Sequence, residues 1–312
     1  MRIVFMGTPD FAAVILKGLI EAGHDIALCV TQPDKQKGRG KKVQYSPVKE
    51  VALEHGIRVI QPERVRGDKE FLDELNKAEP DISVVAAYGQ ILPAEVLEAP
   101  RFGSVNVHAS LLPKLRGASP IQHAILEGDE ETGVTIMQMG PGLDTGDMIS
   151  KVTVKIGDLN FSELHDKLAE AGSELLIRTL RDIEDGKASF EKQDDSLSSY
   201  APMIGKQDGH IDFTKDPSEI INKIRAFDPW PGAFAYFGEN DDAMKFWKAE
   251  PSDKETAASD AGRIIAVDAD SFTVGCGGKA LKVTEIQVPG KRRMSTSDYL
   301  RGHSIEKGLI FR

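Results

Sequence analysis

Cysteine is nearly absent, with Cys29 in an apolar run and Cys276 beside glycines the only two among 312 residues. Two thiols form neither a disulfide framework nor a metal-ligand spacing, so no metal site and a reducing, cytoplasmic setting are expected. Long apolar runs are missing as well. The chain passes from Met1-Arg2 straight into Ile-Val-Phe-Met-Gly without a signal-peptide core, and Lys17 and Glu21 interrupt the one apolar neighbourhood nearby. No membrane span is expected from that pattern. Cations are in deficit, with a net charge of -10, which argues against a surface that grips nucleic acid everywhere but leaves room for a local basic patch. The glycine fingerprint of a dinucleotide site is lacking too. Gly7-Thr-Pro-Asp-Phe11 has one glycine where G-x-G-x-x-G is needed, which disfavours a nicotinamide oxidoreductase.

A hydrophobic share of 40% and a charged share of 28% are those of a soluble globular protein large enough for two domains. The first half alternates strand and helix patterns. Strands are expected over 2–6, 25–31, 58–61, 81–87, 104–108 and 133–139, and helices over 9–22, 46–55, 69–77, 120–127 and 161–184. This is the signature of an α/β domain with a doubly wound, mostly parallel, Rossmann-like sheet, expected over residues 1–189. The polar stretch 190–205 reads as a linker. From 206 to 312, short strands at hairpin spacing predict a smaller antiparallel β-barrel, OB-like.

Asn106 and His108 lie two apart on one predicted strand, so their side chains share a face while Val105 and Val107 take the other. Open parallel sheets bind ligands beyond the carboxyl ends of their strands. Three segments occupy that position: Tyr88-Gly-Gln-Ile-Leu-Pro93, Asn106 through Pro113, and Gly140 through Asp147. If the strands are neighbours, Asp144 reaches His108. An amide donor, an imidazole and a carboxylate suit acyl transfer, the amide for the oxyanion and the imidazole for the proton of an attacking amine. Singly, each has a plainer use: an asparagine that bonds a loop, a structural histidine, a turn-forming aspartate. Asp144-Thr145-Gly146 also matches the aspartic-protease triplet, but it occurs once and within an α/β pattern.

Asn106-x-His108, then Ser110-Leu-Leu-Pro-Lys-Leu-Arg-Gly-Ala-Ser-Pro-Ile121, and later Leu143-Asp-Thr-Gly-Asp147 together resemble the folate-dependent formyltransferases. Gly7 through Phe11, Gln32-Pro-Asp34, Gly38-Arg-Gly-Lys-Lys42 and Ala226-Phe-Asp-Pro-Trp-Pro231 extend the resemblance over nearly the full length. It implies transfer of a formyl group from 10-formyltetrahydrofolate to the amino group of methionine esterified to initiator tRNA, in support of translation initiation. It also implies that Asn106, His108 and Asp144 are catalytic, and that Ser110, Leu111, Leu112, Pro113, Tyr88, Ile91 and Leu92 bind folate. The second domain would then contact tRNA, and a monomer is expected. The nearest rival in the family formylates a nucleotide-linked amino sugar. From another class, a non-catalytic RNA-binding module is disfavoured by the intact Asn106, His108 and Asp144.

Between Thr31 and Ser46, five cations face the single acid Asp34. With the resemblance, Arg39, Lys41 and Lys42 become the expected tRNA contacts, Arg39 foremost. The second domain carries only one compact basic cluster, Lys291-Arg-Arg293, and Trp230 between two prolines is expected to pack as an anchor.

Overall fold

Ile3-Val-Phe-Met6 is buried throughout, as a strand flanked by strands and covered on both faces must be. The structure, a computed structural model, describes residues 1–37, 42–239 and 242–312. The chain divides into two compact units. One comprises Met1–Pro120, Glu131–Lys155 and His165–Ala201, the other Ile121–Glu130, Ile156–Leu164 and Pro202–Arg312.

The chain begins β1 (Arg2–Gly7), α1 (Asp10–Glu21), β2 (Asp25–Val30), β3 (Lys35–Lys37), β4 (Lys42–Gln44), α2 (Pro47–Glu54) and β5 (Val59–Ile60). It continues through α3 (Lys69–Lys77), β6 (Ile82–Ala86), α4 (Ala94–Leu97), β7 (Ser104–His108), β8 (Arg116–Gly117) and α5 (Pro120–Leu126). Then come β9 (Glu131–Gln138), β10 (Met148–Lys155), α6 (Phe161–Glu184) and β11 (Tyr200–Ala201).

Local chemistry explains the helices. In α1 the buried Phe11, Ala12, Ile15, Leu16 and Leu19 recur at helical spacing and form one apolar stripe. Ser46 caps α2 by accepting the Lys49 N–H, with Pro47 at the first helical position, and Asp68 caps α3 in the same way through Phe71.

The main sheet runs in the order β10-β9-β7-β6-β1-β2-β5. Pairings among β1, β2, β5, β6 and β7 are parallel, while β9 pairs antiparallel with both β7 and β10. The chain winds outward from β1 to β5 and returns to β6 on the other side. The direction of winding therefore reverses between β1 and β6, and a crevice for ligand opens at such a point. Gly7 closes β1 where a Cβ would lie 2.6 Å from Ala12 and 2.9 Å from the Ala86 carbonyl. Only glycine fits there.

The second unit holds α7 (Pro217–Ala226), β12 (Ala233–Phe237), β13 (Asp242–Ser252), β14 (Ile264–Val267), β15 (Phe272–Cys276), β16 (Lys279–Gln287), β17 (Met294–Ser295) and α8 (Thr296–Leu300). Its antiparallel sheet runs β12-β13-β16-β15-β14, with β17 on β16. Phe213, Phe246, Phe272 and Phe311 meet in the core, Phe311 lying 5.2 Å from Phe246 between ring centres. The segment carrying Phe311 bonds to both edge strands: Tyr236 and Arg312 exchange backbone hydrogen bonds, and Ile264 donates to Leu309.

Both cysteines are free and buried, Cys29 in β2 and Cys276 in β15, and burial pushes each thiol up to about 12. Among the described residues, no helix is long and apolar enough to cross a membrane.

Candidate active site

Strand β7 ends in the pair that the sequence singles out. It is buried on both faces except at Asn106, which is half-buried between the buried Val105 and Val107, and His108 is 6% exposed. Asn106 lies beside Val85 of β6 and Met137 of β9, and among the described residues its carboxamide has no hydrogen-bond partner. A half-buried amide without a protein partner is free to meet a ligand oxygen.

His108 is held differently. Its Nε2 lies 3.0 Å from the Leu115 carbonyl oxygen, which only accepts, so Nε2 carries the proton and the neutral ring keeps its lone pair on Nδ1. Nδ1 faces Asp144 Oδ2 at 3.8 Å. The Leu115 carbonyl, more than Asp144, fixes the ring. Leu115 has φ +58°, a left-handed conformation that costs a branched side chain, and two hydrogen bonds hold it there besides the one from His108 Nε2. The Leu115 N–H donates to Ser199 Oγ at 2.9 Å, and the next N–H, of Arg116, donates to the Ser199 carbonyl.

Asp144 also has a left-handed backbone, φ +50°, which aspartate tolerates better than most residues. Its Oδ2 accepts the Gly117 N–H at 2.9 Å. The loop after β7 and the turn after β9 are thus joined at the carboxylate that faces His108. Residues 110–112 are pinned from β9: buried Thr135 donates to the Ser110 carbonyl at 2.7 Å and accepts the Leu112 N–H at 3.1 Å.

The expected folate residues fall into two groups. Ser110 is fully buried, its hydroxyl donating to the Lys114 carbonyl, and Leu112 packs with Met137 and Met148. Tyr88 and Leu92 belong to the apolar core around β1 and β6, and burial raises the Tyr88 phenol, whose hydroxyl has no partner. Leu111 and Pro113 are half-buried, and Ile91 is exposed. At the reversal point, Tyr88 offers its backbone carbonyl to Thr8 Oγ1 at 3.1 Å and Gln32 Nε2 at 3.2 Å.

Arg39 and Lys41 lie outside the described residues, as does the side chain of Lys42. In the second unit, the Lys291-Arg-Arg293 cluster is smaller than its sequence suggests. The Arg293 guanidinium bonds Asp228 and Glu285, which leaves Lys291 and Arg292 as its outward cations. Trp230 is not the packed anchor expected, for it is half exposed; buried Trp247 packs instead, beneath Lys245 and Arg293. Among the described residues, no cluster of three or more metal-ligating side chains occurs.

Thr135, Leu115, Ser199 and Gln193 escape a reading of motifs. They act through hydrogen bonds to segments distant in sequence, and periodicity carries no trace of those.

A Formyl transferase model matches residues 1–180, and a Formyl transferase, C-terminal domain model matches residues 203–304. The chain is 49% identical over 313 residues to the methionyl-tRNA formyltransferase of Caldanaerobacter subterraneus subsp. tengcongensis, covering 100% of both chains. It is 49% identical over 311 residues to that of Clostridioides difficile, covering 99% of both. Among solved structures, WlaRD, a sugar 3N-formyl transferase in the presence of dTDP and 5-N-formyl-THF, matches with a TM-score of 0.66 at 20% identity, over 94% of this chain and 99% of that one. At that identity the likeness speaks for the fold. With both domain models matched and nearly half the residues shared end to end with such relatives, the chain belongs to the formyl transferase family.

Proposed function

We propose that this formyltransferase moves the formyl group of 10-formyltetrahydrofolate onto the amino group of methionine carried by initiator tRNA. The observation that carries the choice of acceptor is the full-length likeness to methionyl-tRNA formyltransferases, since the fold is shared with an enzyme that formylates a sugar. The chemistry belongs to the end of β7. The neutral amine attacks the formyl carbon, and the carbonyl oxygen gathers charge that the free Asn106 amide stabilises by donation. The amine proton passes to Nδ1 of His108, the ring atom left unprotonated by the Leu115 bond. Asp144, 3.8 Å away, stabilises the imidazolium. Collapse of the tetrahedral intermediate breaks the bond to folate N10, and the proton leaves His108 for that nitrogen.

Leu111, Pro113 and Ile91 have exposed surface to offer the folate, and Ser110, Leu112, Tyr88 and Leu92 support them from below. Leu143, exposed beside Asp144, adds apolar surface at the turn after β9. Formyl transfer belongs to residues 1–189 and tRNA contact to residues 206–312, with residues 190–205 connecting them. Closure of the second sheet as a barrel is part of this reading, supported by the segment from Leu309 to Arg312 that bonds both edge strands. Arg39, Lys41 and Lys42 supply further phosphate contacts. A monomer acting in the cytoplasm completes it, in keeping with two buried, unpaired thiols.

Purified protein incubated with 10-formyltetrahydrofolate and either methionyl initiator tRNA or an amino-sugar nucleotide should yield formylmethionyl-tRNA. Formylation of the sugar alone would overturn the assignment. Asn106→Ala should lower turnover by about 10²–10³-fold, the usual cost of an oxyanion donor, and His108→Ala should nearly abolish it, both with unchanged circular dichroism. Near-normal turnover in either removes that residue from the mechanism.

A further inference from the structure

Gln193 joins the two loops that carry the site. Its side-chain nitrogen lies 2.8 Å from the Asp144 carbonyl oxygen and 2.8 Å from that of Gly146, while its side-chain oxygen lies 2.9 Å from Arg116 Nε. The amide has only one orientation. Both carbonyls can only accept and a guanidinium can only donate, so the two N–H groups face the turn and the oxygen faces Arg116. Arg116, 12% exposed at its side chain, also pairs with Asp195. It precedes Gly117, whose N–H binds the Asp144 carboxylate, and follows Leu115, whose carbonyl holds His108.

The surrounding stretch reinforces this link. Glu191 forms an antiparallel bridge to Met148 just beyond the turn. Ser199 takes the Leu115 N–H on its hydroxyl and the Arg116 N–H on its carbonyl, and β11 pairs parallel with β8. All these residues belong to the first unit. The polar run from Glu191 to Ala201 therefore straps the turn after β9 to the loop after β7.

We infer that Gln193 is a positioning residue for formyl transfer: its oriented amide holds the left-handed Asp144 turn so that the carboxylate faces His108 Nδ1. The inference rests on the assignment of His108 and Asp144 to the reaction. Two carbonyls pointing to one side of a turn repel each other unless a donor bridges them, and the Gln193 NH2 group is that bridge. Without it the turn relaxes and the carboxylate drifts from the imidazole. Displacements of about 1 Å at a reacting centre cost up to about 10²-fold in rate.

Two substitutions test this. Gln193→Met keeps the length and removes the polar ends. Gln193→Glu keeps an acceptor for Arg116, even gaining an ion pair, but faces the two carbonyls with oxygen in place of N–H. Both should lower kcat by roughly tenfold to a hundredfold, with KM for 10-formyltetrahydrofolate and for methionyl-tRNA within about twofold of the parent. Gln193→Glu should remain folded, with thermal melting close to the parent, because the strap keeps its other bonds. Full turnover in Gln193→Glu would overturn the inference, for the N–H groups would then be dispensable. So would losses that appear only as a raised KM or a lowered melting temperature. His108→Ala, run beside them, separates two failures. If it too is fully active, the assignment of the site falls and takes this inference with it; if it is inactive while both Gln193 variants are normal, the inference alone is wrong.

Discussion

Asp144 shows how much a single position is asked to do. It occupies a left-handed backbone conformation, accepts an amide hydrogen bond and presents a charge to a histidine. Asp144→Asn keeps the first two properties, because asparagine also tolerates that backbone and retains an acceptor oxygen. Its stability should lie within about 0.5 kcal/mol of the parent by urea titration. The charge is lost, however. A pair near 4 Å is worth about 4 kcal/mol at the effective dielectric of a protein surface, so even after discounting for solvent, turnover should fall by at least about tenfold. Asp144→Ala loses all three properties and should lower both stability and turnover; equal stability in the two variants would refute this separation of roles. The sequence makes Asn106, His108 and Asp144 visible because their types suit the chemistry at strand ends. It hides Leu115 and Thr135, whose parts are played by a carbonyl and by a hydroxyl bonded to backbone. Trp230 misleads for a related reason: neighbouring prolines mark a rigid loop but do not say which way the indole points.

At the scale of elements, periodicity reports what it can. The long apolar stripe of α6 is legible because burial imposes a repeat on it, and the pair in β7 because two polar residues two apart share one face of a strand. Strand β10 is harder to see, lying directly after a Gly-rich turn as the sheet's antiparallel edge, and the polar run from Glu191 to Ala201 conceals its bonds because many of its partners are backbone groups of loops distant in sequence. Strand β13 runs on to Ser252, and its polar end, beyond the reach of β12, is held by backbone pairing to β16 alone. Helix α7 is announced by Asp216 and Pro217 at its start. The Ser218 N–H and then its hydroxyl hold the Asp216 carboxyl below the usual carboxylate range. A lowered value in the folded state means that this contribution is complete above the unfolded carboxyl range and is lost as pH falls through the lowered value. Asp216→Ala should therefore cost about 1 kcal/mol at neutral pH, less where solvent screens the cap, and the gap from the parent should close in acid. Urea titrations at neutral and acidic pH measure both, and a gap that widened in acid would contradict the sign.

For the molecule as a whole, a net charge of -10 and a polyanionic acceptor must be reconciled. On the proposed reading, productive tRNA binding should depend on a few concentrated cations, Arg39, Lys41 and Lys42 in the first half and Lys291 and Arg292 in the second. Raising salt from about 50 to about 200 mM should weaken tRNA binding by at least roughly tenfold, as release of counterions from a few phosphates requires. Folate binding should change far less, and a tRNA affinity unmoved by salt would refute the electrostatic account. The division between a parallel and an antiparallel sheet is visible in the chain as a change of strand spacing, because connections through helices need more residues than hairpins. The two buried thiols allow the units to be followed separately. One lies in the central sheet of the first unit and the other in the sheet of the second, so neither meets an alkylating reagent until its own sheet opens. The rate at which each becomes labelled is therefore a clock for the opening of one unit, read in a single mass spectrum without any added probe.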